Sequence, residues 1–247
     1  MRPAGPLSAD APPAGMRPTE TLPPEAPEHF QAKAELCQFL ATVLRLPGDL
    51  LVEGICSGAF ENELRDIADQ LGLALPQPEA ERCFRELAGE GGPCRVTLAE
   101  IRHAHTSLFT HPEKPLVAPY ESLFRYWEKH PGGSYGEAPR MFVSPVAMDA
   151  ERAYREAGLS RSPEVNEPAD HISVELEFLS RLYSEKACLL LEGRLDDAAG
   201  VDKALAGFLE RHIGKWGAGF FERVATSGVH PFYRLVGLVG TALVAAL

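Results

Sequence analysis

The sequence has little positive charge for its size. Its 247 residues include 24 lysines and arginines against 35 aspartates and glutamates, which gives a formal net charge of −11 and a pI near 5.2. The phosphate backbone of a nucleic acid would repel such a chain, so we expect no nucleic-acid partner. Opposite charge would instead speed its encounter with a basic peptide.

The sequence also lacks a long hydrophobic run. The longest one covers thirteen residues, 235–247, whereas a membrane-spanning helix needs about 20, so we predict a buried terminal helix and no stable membrane insertion. The first 27 residues are rich in proline and alanine but have no apolar centre of a signal peptide. We interpret residues 1–27 as a disordered tail and expect the protein to be cytoplasmic.

Cysteines are few. The five cysteines are odd in number, widely spaced and form no C-x-x-C pair. Three of them fall on apolar helix faces, where a free cysteine behaves as a small hydrophobic side chain, and this favours a reducing compartment. A zinc site can be drawn, although its spacing matches no standard ligand pattern. Its ligands would be Cys83, Cys94, His103 and His105.

Motifs of catalysis are scarce as well. The chain has no Gly-rich phosphate-binding loop and no H-E-x-x-H metal pair, and no ligand set for a catalytic metal assembles from spacing. We therefore predict that the protein is not an enzyme. The alternative from a different class is a helical metal-dependent hydrolase that uses His103, His105, Asp170 and His171.

Helical periodicity dominates what is present. Apolar residues recur at steps of three and four along most of the chain, and no stretch alternates apolar and polar residues. Gly72 and Gly193 stand where two of the periodic segments end, and Thr97 and Glu100 have the spacing of a capping box. We therefore predict an all-α fold, a single compact helical domain of about ten helices.

A stretch rich in proline and aromatic residues interrupts the pattern at 110–145. We predict that it is a hinge between two helical sub-bundles, the N-terminal helices at 28–109 and the C-terminal helices at 146–247, within one helical domain at 28–247. This stretch either folds as a short helix between loops or lines a cleft. Its aromatic side chains either supply the contact area of a peptide groove or fill the space between the two helical halves.

The stretch 166–179 carries the most distinctive polar residues. Pro168 suits the first turn of a helix, with Asn166 or Glu167 as its N-cap, so the pattern predicts a long helix that begins near Pro168. Apolar residues follow at helical spacing and predict one buried face.

Asp170, His171 and Glu175 would gather at the start of this helix. An aspartate in a first turn favours the helix dipole, and a histidine with a glutamate one turn later is common on exposed helix faces. The cluster is therefore either ordinary surface chemistry or a recognition site. Spacing alone leaves both interpretations open.

Motifs in three regions narrow the choice. Residues 167–171, Glu-Pro-Ala-Asp-His, resemble the E-P-x-D-H signature of the TorD/DmsD family of chaperones, which is related to NarJ and escorts molybdenum-containing redox enzymes through maturation. Residues 119–124, Pro-Tyr-Glu-Ser-Leu-Phe, resemble the family's P-P-[WY]-x-S-[VL]-[WFY] segment, with Ala118 where a second proline often stands. Residues 212–216 and 230–234 resemble its H-L-x-x-W and H-P-F-Y-R ending.

The resemblance implies a cytoplasmic, all-helical chaperone. Such proteins bind the N-terminal twin-arginine leader of the catalytic subunit of a molybdopterin oxidoreductase and hold the subunit until its cofactor is inserted. The resemblance implies no cofactor for the chaperone itself, although some members bind guanine nucleotides weakly, and it is compatible with a monomer or a helix-exchanged dimer. Two alternatives are a NarJ-like assembly chaperone for a nitrate reductase-type subunit without a working twin-arginine leader, and a plain helical scaffold that binds a folded protein.

The resemblance also implies that the Asp-His pair and the aromatic-proline segment take part in leader recognition. Asp170, with Glu167 or Glu175, would then pair with the leader arginines, and His171 would orient the carboxylate. The aromatic side chains would receive the apolar part of the leader. The predicted leader-binding residues are Tyr120, Ser122, Phe124, Tyr126, Tyr135, Glu167, Pro168, Asp170, His171 and Glu175.

Overall fold

The computed structural model describes residues 25–89, 94–110, 115–131, 138, 144–161 and 166–247. Eleven α-helices and one short π-helix lie in this part of the chain, and it contains no β-strand. The prediction of an all-α fold is confirmed. Most of the predicted tail at 1–27, and Tyr135 of the predicted site, lie outside the described residues.

The N-terminal helices lie where the periodicity predicted them. The complete capping box of Thr97 and Glu100 begins the fifth helix, and glycines with positive φ, Gly58 and Gly72, end the second and third. The π-helix at Thr106–Thr110 continues directly from the fifth helix. The helices are α1 (Pro27–Val43), α2 (Asp49–Ser57), α3 (Ala59–Leu71), α4 (Glu79–Ala88) and α5 (Leu98–His105).

The C-terminal part contains six helices. The first of them lies inside the stretch 110–145, for which the sequence predicted either a short helix between loops or the lining of a cleft, and it is such a short helix. The helices are α6 (Glu121–Lys129), α7 (Pro145–Glu156), α8 (Ile172–Leu191), α9 (Leu195–Arg211), α10 (Ile213–Thr226) and α11 (Pro231–Ala246).

The predicted start of α8 was wrong by four residues. The helix begins at Ile172, and the preceding residues form a turn in which the His171 N–H donates to the Pro168 carbonyl at 3.1 Å. His171 is the N-cap, because its Nδ1 accepts the Ser173 N–H at 3.2 Å. Asp170 therefore precedes the helix instead of lying in its first turn.

The apolar C-terminal run forms most of α11, as predicted. Pro231 occupies its first turn, and His230 caps it by accepting the Phe232 N–H at 3.1 Å. Within the described residues, no helix combines the length and the apolar character that crossing a membrane requires.

The core joins the two halves of the chain. The helix α1 packs along α8, α4 lies against α11, and α10 packs along α11. The contacts of α1 with α8 and of α4 with α11 cross the boundary predicted between 28–109 and 146–247. The division into two sub-bundles itself stays a prediction. Each fully buried large side chain contributes about 1.5–3 kcal/mol relative to an exposed one. The largest are Trp216, Tyr233, Phe124, Phe208 and Phe220.

Two glycines allow α10 and α11 to approach closely. A Cβ atom on Gly237 would lie 2.3 Å from the backbone nitrogen of Ala225. A Cβ atom on Gly240 would lie 2.0 Å from the ring of Phe221. Because neither distance leaves room for a methyl group, both positions require glycine in this packing.

The cysteines differ from the expectation of free thiols in a reducing compartment. Cys56 at the end of α2 and Cys94 before α5 form a disulfide, whereas Cys37 and Cys83 are buried thiols and Cys188 is an exposed one. The wide sequence separation of the pair gave no signal for it. The disulfide removes Cys94 from the zinc site that could be drawn from the sequence.

Candidate functional site

The two best-marked motifs meet at a short antiparallel bridge. The Ile172 N–H donates to the Pro119 carbonyl, and the Glu121 N–H donates to the Asp170 carbonyl, each at 2.8 Å. This bridge holds the residues before α8 in an extended conformation and explains why the helix begins late. It also brings the start of α6 directly against the start of α8.

The same turn is held from the side of α7. The Tyr154 hydroxyl donates to the Ala169 carbonyl at 2.6 Å, and Arg161 donates to the Glu167 carbonyl at 2.5 Å. Burial raises the pKa of Tyr154 well above its ordinary value, so the hydroxyl stays a donor. The Glu-Pro-Ala-Asp-His segment is therefore fixed on both sides.

Asp170 caps α6 from outside that helix. Its Oδ2 accepts the Ser122 N–H at 3.1 Å, and the residue is completely buried. The first N–H groups of a helix have no partner within it and carry partial positive charge, so this carboxylate stabilises the start of α6. Burial raises the pKa of Asp170, and the hydrogen bonds from Ser122 offset part of that rise.

Glu121 is a second buried carboxylate and has two partners. Its Oε1 accepts from Arg125 at 2.5 Å, and its Oε2 hydrogen-bonds Nδ1 of His212 at 2.8 Å. His212 lies between α9 and α10, and its Nε2 is 3.2 Å from Oδ2 of Asp149 on α7. Through His212, the motif at 212–216 thus contacts the motif at 119–124, which is itself bridged to the motif at 167–171.

Glu175 on α8 completes the group. Its Oε2 accepts the indole N–H of Trp216 on α10 at 3.1 Å, and the residue is completely buried. Burial, and after it the negative charge of Glu121, raise the pKa of Glu175 well above its ordinary value. A proton on Glu175 removes the repulsion between the two carboxyl groups and provides a donor for Glu121. We refer to Glu121, Asp170, Glu175, His212 and Trp216 as the buried polar cluster.

Part of the buried polar cluster has the geometry of metal ligands. The ligand atoms of Glu121, Glu175 and His212 lie within 4.8 Å of one another, and no other such group occurs in the described part of the chain. Arg125 and Trp216 already bond the carboxylates that a cation would need. The raised pKa of Glu175 favours a proton on that carboxyl group, which lowers the negative charge of the group with these partners in place.

The ligand set of the alternative hydrolase does not assemble. His103 is exposed, whereas His105 is buried with its Nε2 3.3 Å from the Leu44 carbonyl. Burial, and then the charges of His105 and Arg45, lower the pKa of His171 to about 3. Nδ1 of the neutral His171 ring is used as a helix cap. Among the described residues, only Glu121, Glu175 and His212 are grouped closely enough to hold a metal, and none of the four predicted ligands is among them.

The predicted leader-binding residues divide into an inner and an outer group. Ser122, Phe124, Pro168, Asp170, His171 and Glu175 are buried, whereas Tyr120, Tyr126 and Glu167 are half-buried and reach the surface. The Tyr120 hydroxyl donates to Glu167 at 3.2 Å, and the Tyr120 ring meets that of His171 edge to face at 5.1 Å. The structure therefore places Tyr120 beside His171, as the predicted site requires.

Several of these side chains have partners inside the protein, and their role in leader binding stays a prediction. The carboxyl groups of Asp170 and Glu175 are buried and accept from a backbone N–H and an indole N–H, respectively. Phe124 and Tyr126 also contact other side chains of the protein. The ring of Phe124 fills the core 5.6 Å from Trp216, and Tyr126 stacks on His130 at 4.6 Å.

Sequence reasoning did not select Glu121, Arg125, His212 and Trp216 as site residues. Three of the four lie inside the motifs quoted above, and this position was the signal in the sequence that could have marked them as site residues. Arg125 lies one turn from Glu121 on α6, but the other pairs are distant in sequence. Glu121 and His212 are 91 positions apart, and Glu175 and Trp216 are 41 apart. Spacing along one helix could not have found these two pairs.

Comparison with known families gives one finding. A family model described as nitrate reductase delta subunit matches residues 59–222, more than half of the chain. The match begins with α3, ends inside α10 and contains every residue of the buried polar cluster. A comparison with curated proteins gave no match.

Proposed function

The chain belongs to the nitrate reductase delta subunit family, a TorD-like family of molybdoenzyme chaperones, and on this basis we propose that it binds a molybdoenzyme catalytic subunit before cofactor insertion. It would hold the cofactor-free subunit and release it once the molybdopterin cofactor has entered. The observation that carries the proposal is the family match across residues 59–222, which contains the motifs that meet at the buried polar cluster. The chain would act through binding, without catalysis of its own.

Two kinds of client fit this proposal. One is a nitrate reductase-type subunit without a working twin-arginine leader, which agrees with the description of the matched family. The other is an exported oxidoreductase whose twin-arginine leader the chaperone covers. The acidic chain favours a basic N-terminal segment in either case, since opposite charges speed association.

Capture from the native cell tests the proposal. The tagged chain should co-purify with a molybdopterin-binding catalytic subunit, and more of it should be captured when cofactor synthesis is blocked, because the cofactor-free client accumulates. Failure to capture any such subunit under both conditions would overturn the proposed function. Peptides from the N-terminus of the captured subunit, with and without its arginines, then distinguish the two kinds of client.

The direct role predicted for Asp170 has a sharp test. Asp170→Asn keeps an oxygen that accepts the Ser122 N–H but removes the negative charge. If Asp170 acts only as a cap, this variant retains full affinity for the client peptide, whereas Asp170→Ala lowers the stability of the protein by about 1–3 kcal/mol. A tenfold loss of affinity in a folded Asp170→Asn variant would instead support an ion pair with a leader arginine.

The cellular setting is part of the same proposal. Cofactor insertion precedes export, so we place the chaperone in the cytoplasm. Weak guanine-nucleotide binding is implied only by the resemblance to the TorD/DmsD family. Sedimentation of the purified protein would distinguish a monomer from a helix-exchanged dimer.

A further inference from the structure

A groove of about 410 Å³ lies between α1, α2 and α3, away from the buried polar cluster. We call it the N-terminal groove. Its apolar surface comes from Phe39, Leu50, Leu51 and Phe60. The rings of Phe39 and Phe60 lie 5.2 Å apart, and Phe60 lies 5.5 Å from Phe232 of α11, so the core fixes the floor of the groove.

The N-terminal groove exposes more apolar surface than the core packing requires. Leu50, which lines the groove, is 82% exposed. Exposed apolar residues that adjoin a groove mark a surface for binding another protein, whereas isolated exposed leucines are common. The groove therefore has the apolar anchors that a peptide interface needs.

The edges of the N-terminal groove are acidic. Glu35 on α1 and Glu63 on α3 line it and are exposed, and none of the described residues that line it is a lysine or an arginine. Glu35 accepts from the neutral amide of Gln31 at 3.0 Å, and neither carboxylate forms an ion pair within the described residues. Two carboxylates beside an apolar floor are complementary to a segment that is both basic and apolar.

The length of the groove fits a short helix. The residues of α1 that line it extend from Glu35 to Val43, which is about 12 Å at 1.5 Å per residue, or roughly two helical turns. An amphipathic helix places apolar residues at i, i+3, i+4 and i+7 along one face, and that face would cover Leu50 and Phe60. Its flanks would lie over Glu35 and Glu63.

We propose that the N-terminal groove binds an amphipathic helix with basic flanks. This helix is a segment of the client subunit, an identification that rests on the proposed function. The helices α1 and α2 precede the matched residues 59–222, whereas α3 lies within them. One wall of the groove, α3, thus belongs to the region matched by the family, and the other two walls, α1 and α2, lie outside that region. These two walls can make this chain selective for its own client.

Synthetic peptides test the groove without a known client. One probe carries leucines at the four anchor positions and arginines on its flanks, and a matched probe carries glutamates in place of the arginines. The wild-type protein should bind the arginine probe at least about tenfold more tightly than the glutamate probe. Equal affinity for the two probes would overturn the proposal.

Substitutions then place the binding site. Leu50→Asp should weaken binding of the arginine probe by about tenfold or more, because a charge would enter the apolar contact. Leu195→Asp is the matched control, since Leu195 is 65% exposed and does not line the groove. Both leucines are exposed, so both variants should keep the circular dichroism spectrum of the wild type. Equal binding by Leu50→Asp and wild type would overturn the proposal.

Charge reversal tests the acidic edges. The double variant Glu35→Lys and Glu63→Lys should lower the association rate of the arginine probe about tenfold at low salt and reduce its dependence on salt. The control with the same change in net charge is Glu210→Lys and Glu222→Lys, on α9 and α10. The same loss in both double variants would show an effect of total charge and would overturn the assignment to the groove.

Client capture separates this inference from the proposed function. If the wild type captures a catalytic subunit and Leu50→Asp does not, both stand. If both proteins capture it equally, the groove inference fails and the proposed function remains. If the wild type captures none, the proposed function fails, and the peptide titrations still decide the groove. A dimer that Leu50→Asp converts to a monomer, with no peptide binding, would show that a second copy covers the groove and would overturn the proposal.

Discussion

At the scale of single residues, Glu121 and Glu175 place two carboxyl groups side by side in the core. Both side chains are completely buried, and only one carries partners that compensate a full negative charge. Desolvation alone makes a second charge costly there, so Glu175 keeps its proton in the folded state. Arg125 therefore balances the charge of Glu121, and a proton neutralises Glu175.

This proton makes the folded state sensitive to pH. Because the pKa of Glu175 is raised, the folded protein holds a proton that the unfolded chain has lost above about pH 4.5, so stability falls as pH rises. Glu175→Gln mimics the protonated group and should remove this slope, with a gain of about 1–3 kcal/mol at high pH. Urea unfolding from about pH 5 to about pH 9 measures it.

Glu185→Gln is the control for that experiment, because it removes an exposed carboxylate from the same helix. It should keep the wild-type slope. The same slope in Glu175→Gln would contradict a proton on Glu175. His171 has the opposite effect on the pH dependence of stability. Its pKa is about 3 in the folded protein and about 6.5 in the unfolded chain, so the unfolded chain gains a proton first and stability falls as the pH drops below about 6.5.

The sequence located these residues but not their roles. Asp170, His171 and Glu175 were selected from a motif, and their side chains do gather near the start of α8. Their burial could not be read from spacing, because the groups that cover them, such as Trp216, come from distant helices. A motif therefore marks a position, and the tertiary partners decide whether that position is exposed.

At the scale of helices, local signals predicted most boundaries. The capping box at Thr97 and the glycine at Gly72 act within a few residues, so the sequence alone specifies them. The start of α8 was wrong because the bridge between Pro119 and Ile172 is a long-range contact that outweighs the helix-starting tendency of Pro168.

The packing of α10 on α11 gives a prediction at this scale. Gly237→Ala should destabilise the protein by about 1–3 kcal/mol or more, because its Cβ atom would overlap the backbone of α10 near Ala225. Gly200→Ala is the matched control on α9, where a Cβ atom meets nothing within 4 Å. It should stabilise the protein by about 0.5–1 kcal/mol. Thermal or urea unfolding of both variants measures the difference. Equal stabilities for Gly237→Ala and wild type would contradict the close approach of the two helices.

At the scale of the whole molecule, the absence of alternating patterns was enough to predict an all-α fold. The pairing of helices could not be predicted in the same way, because the packing of α1 on α8 joins residues more than a hundred positions apart. Many amphipathic pairings would bury the same apolar faces. The sequence suggested two sub-bundles from the interrupted pattern at 110–145, and it gave no sign of the contacts of α1 with α8 and of α4 with α11.

These contacts predict one cooperative unfolding transition. Since α1 packs on α8 and α4 on α11, neither 28–109 nor 146–247 can unfold without exposing apolar surface of the other. Far-UV circular dichroism reports every helix, whereas tryptophan fluorescence reports only α6 and α10, which hold Trp127 and Trp216. Urea midpoints from the two methods should coincide. Separate midpoints would mean that the N-terminal helices unfold on their own and would support the predicted hinge at 110–145.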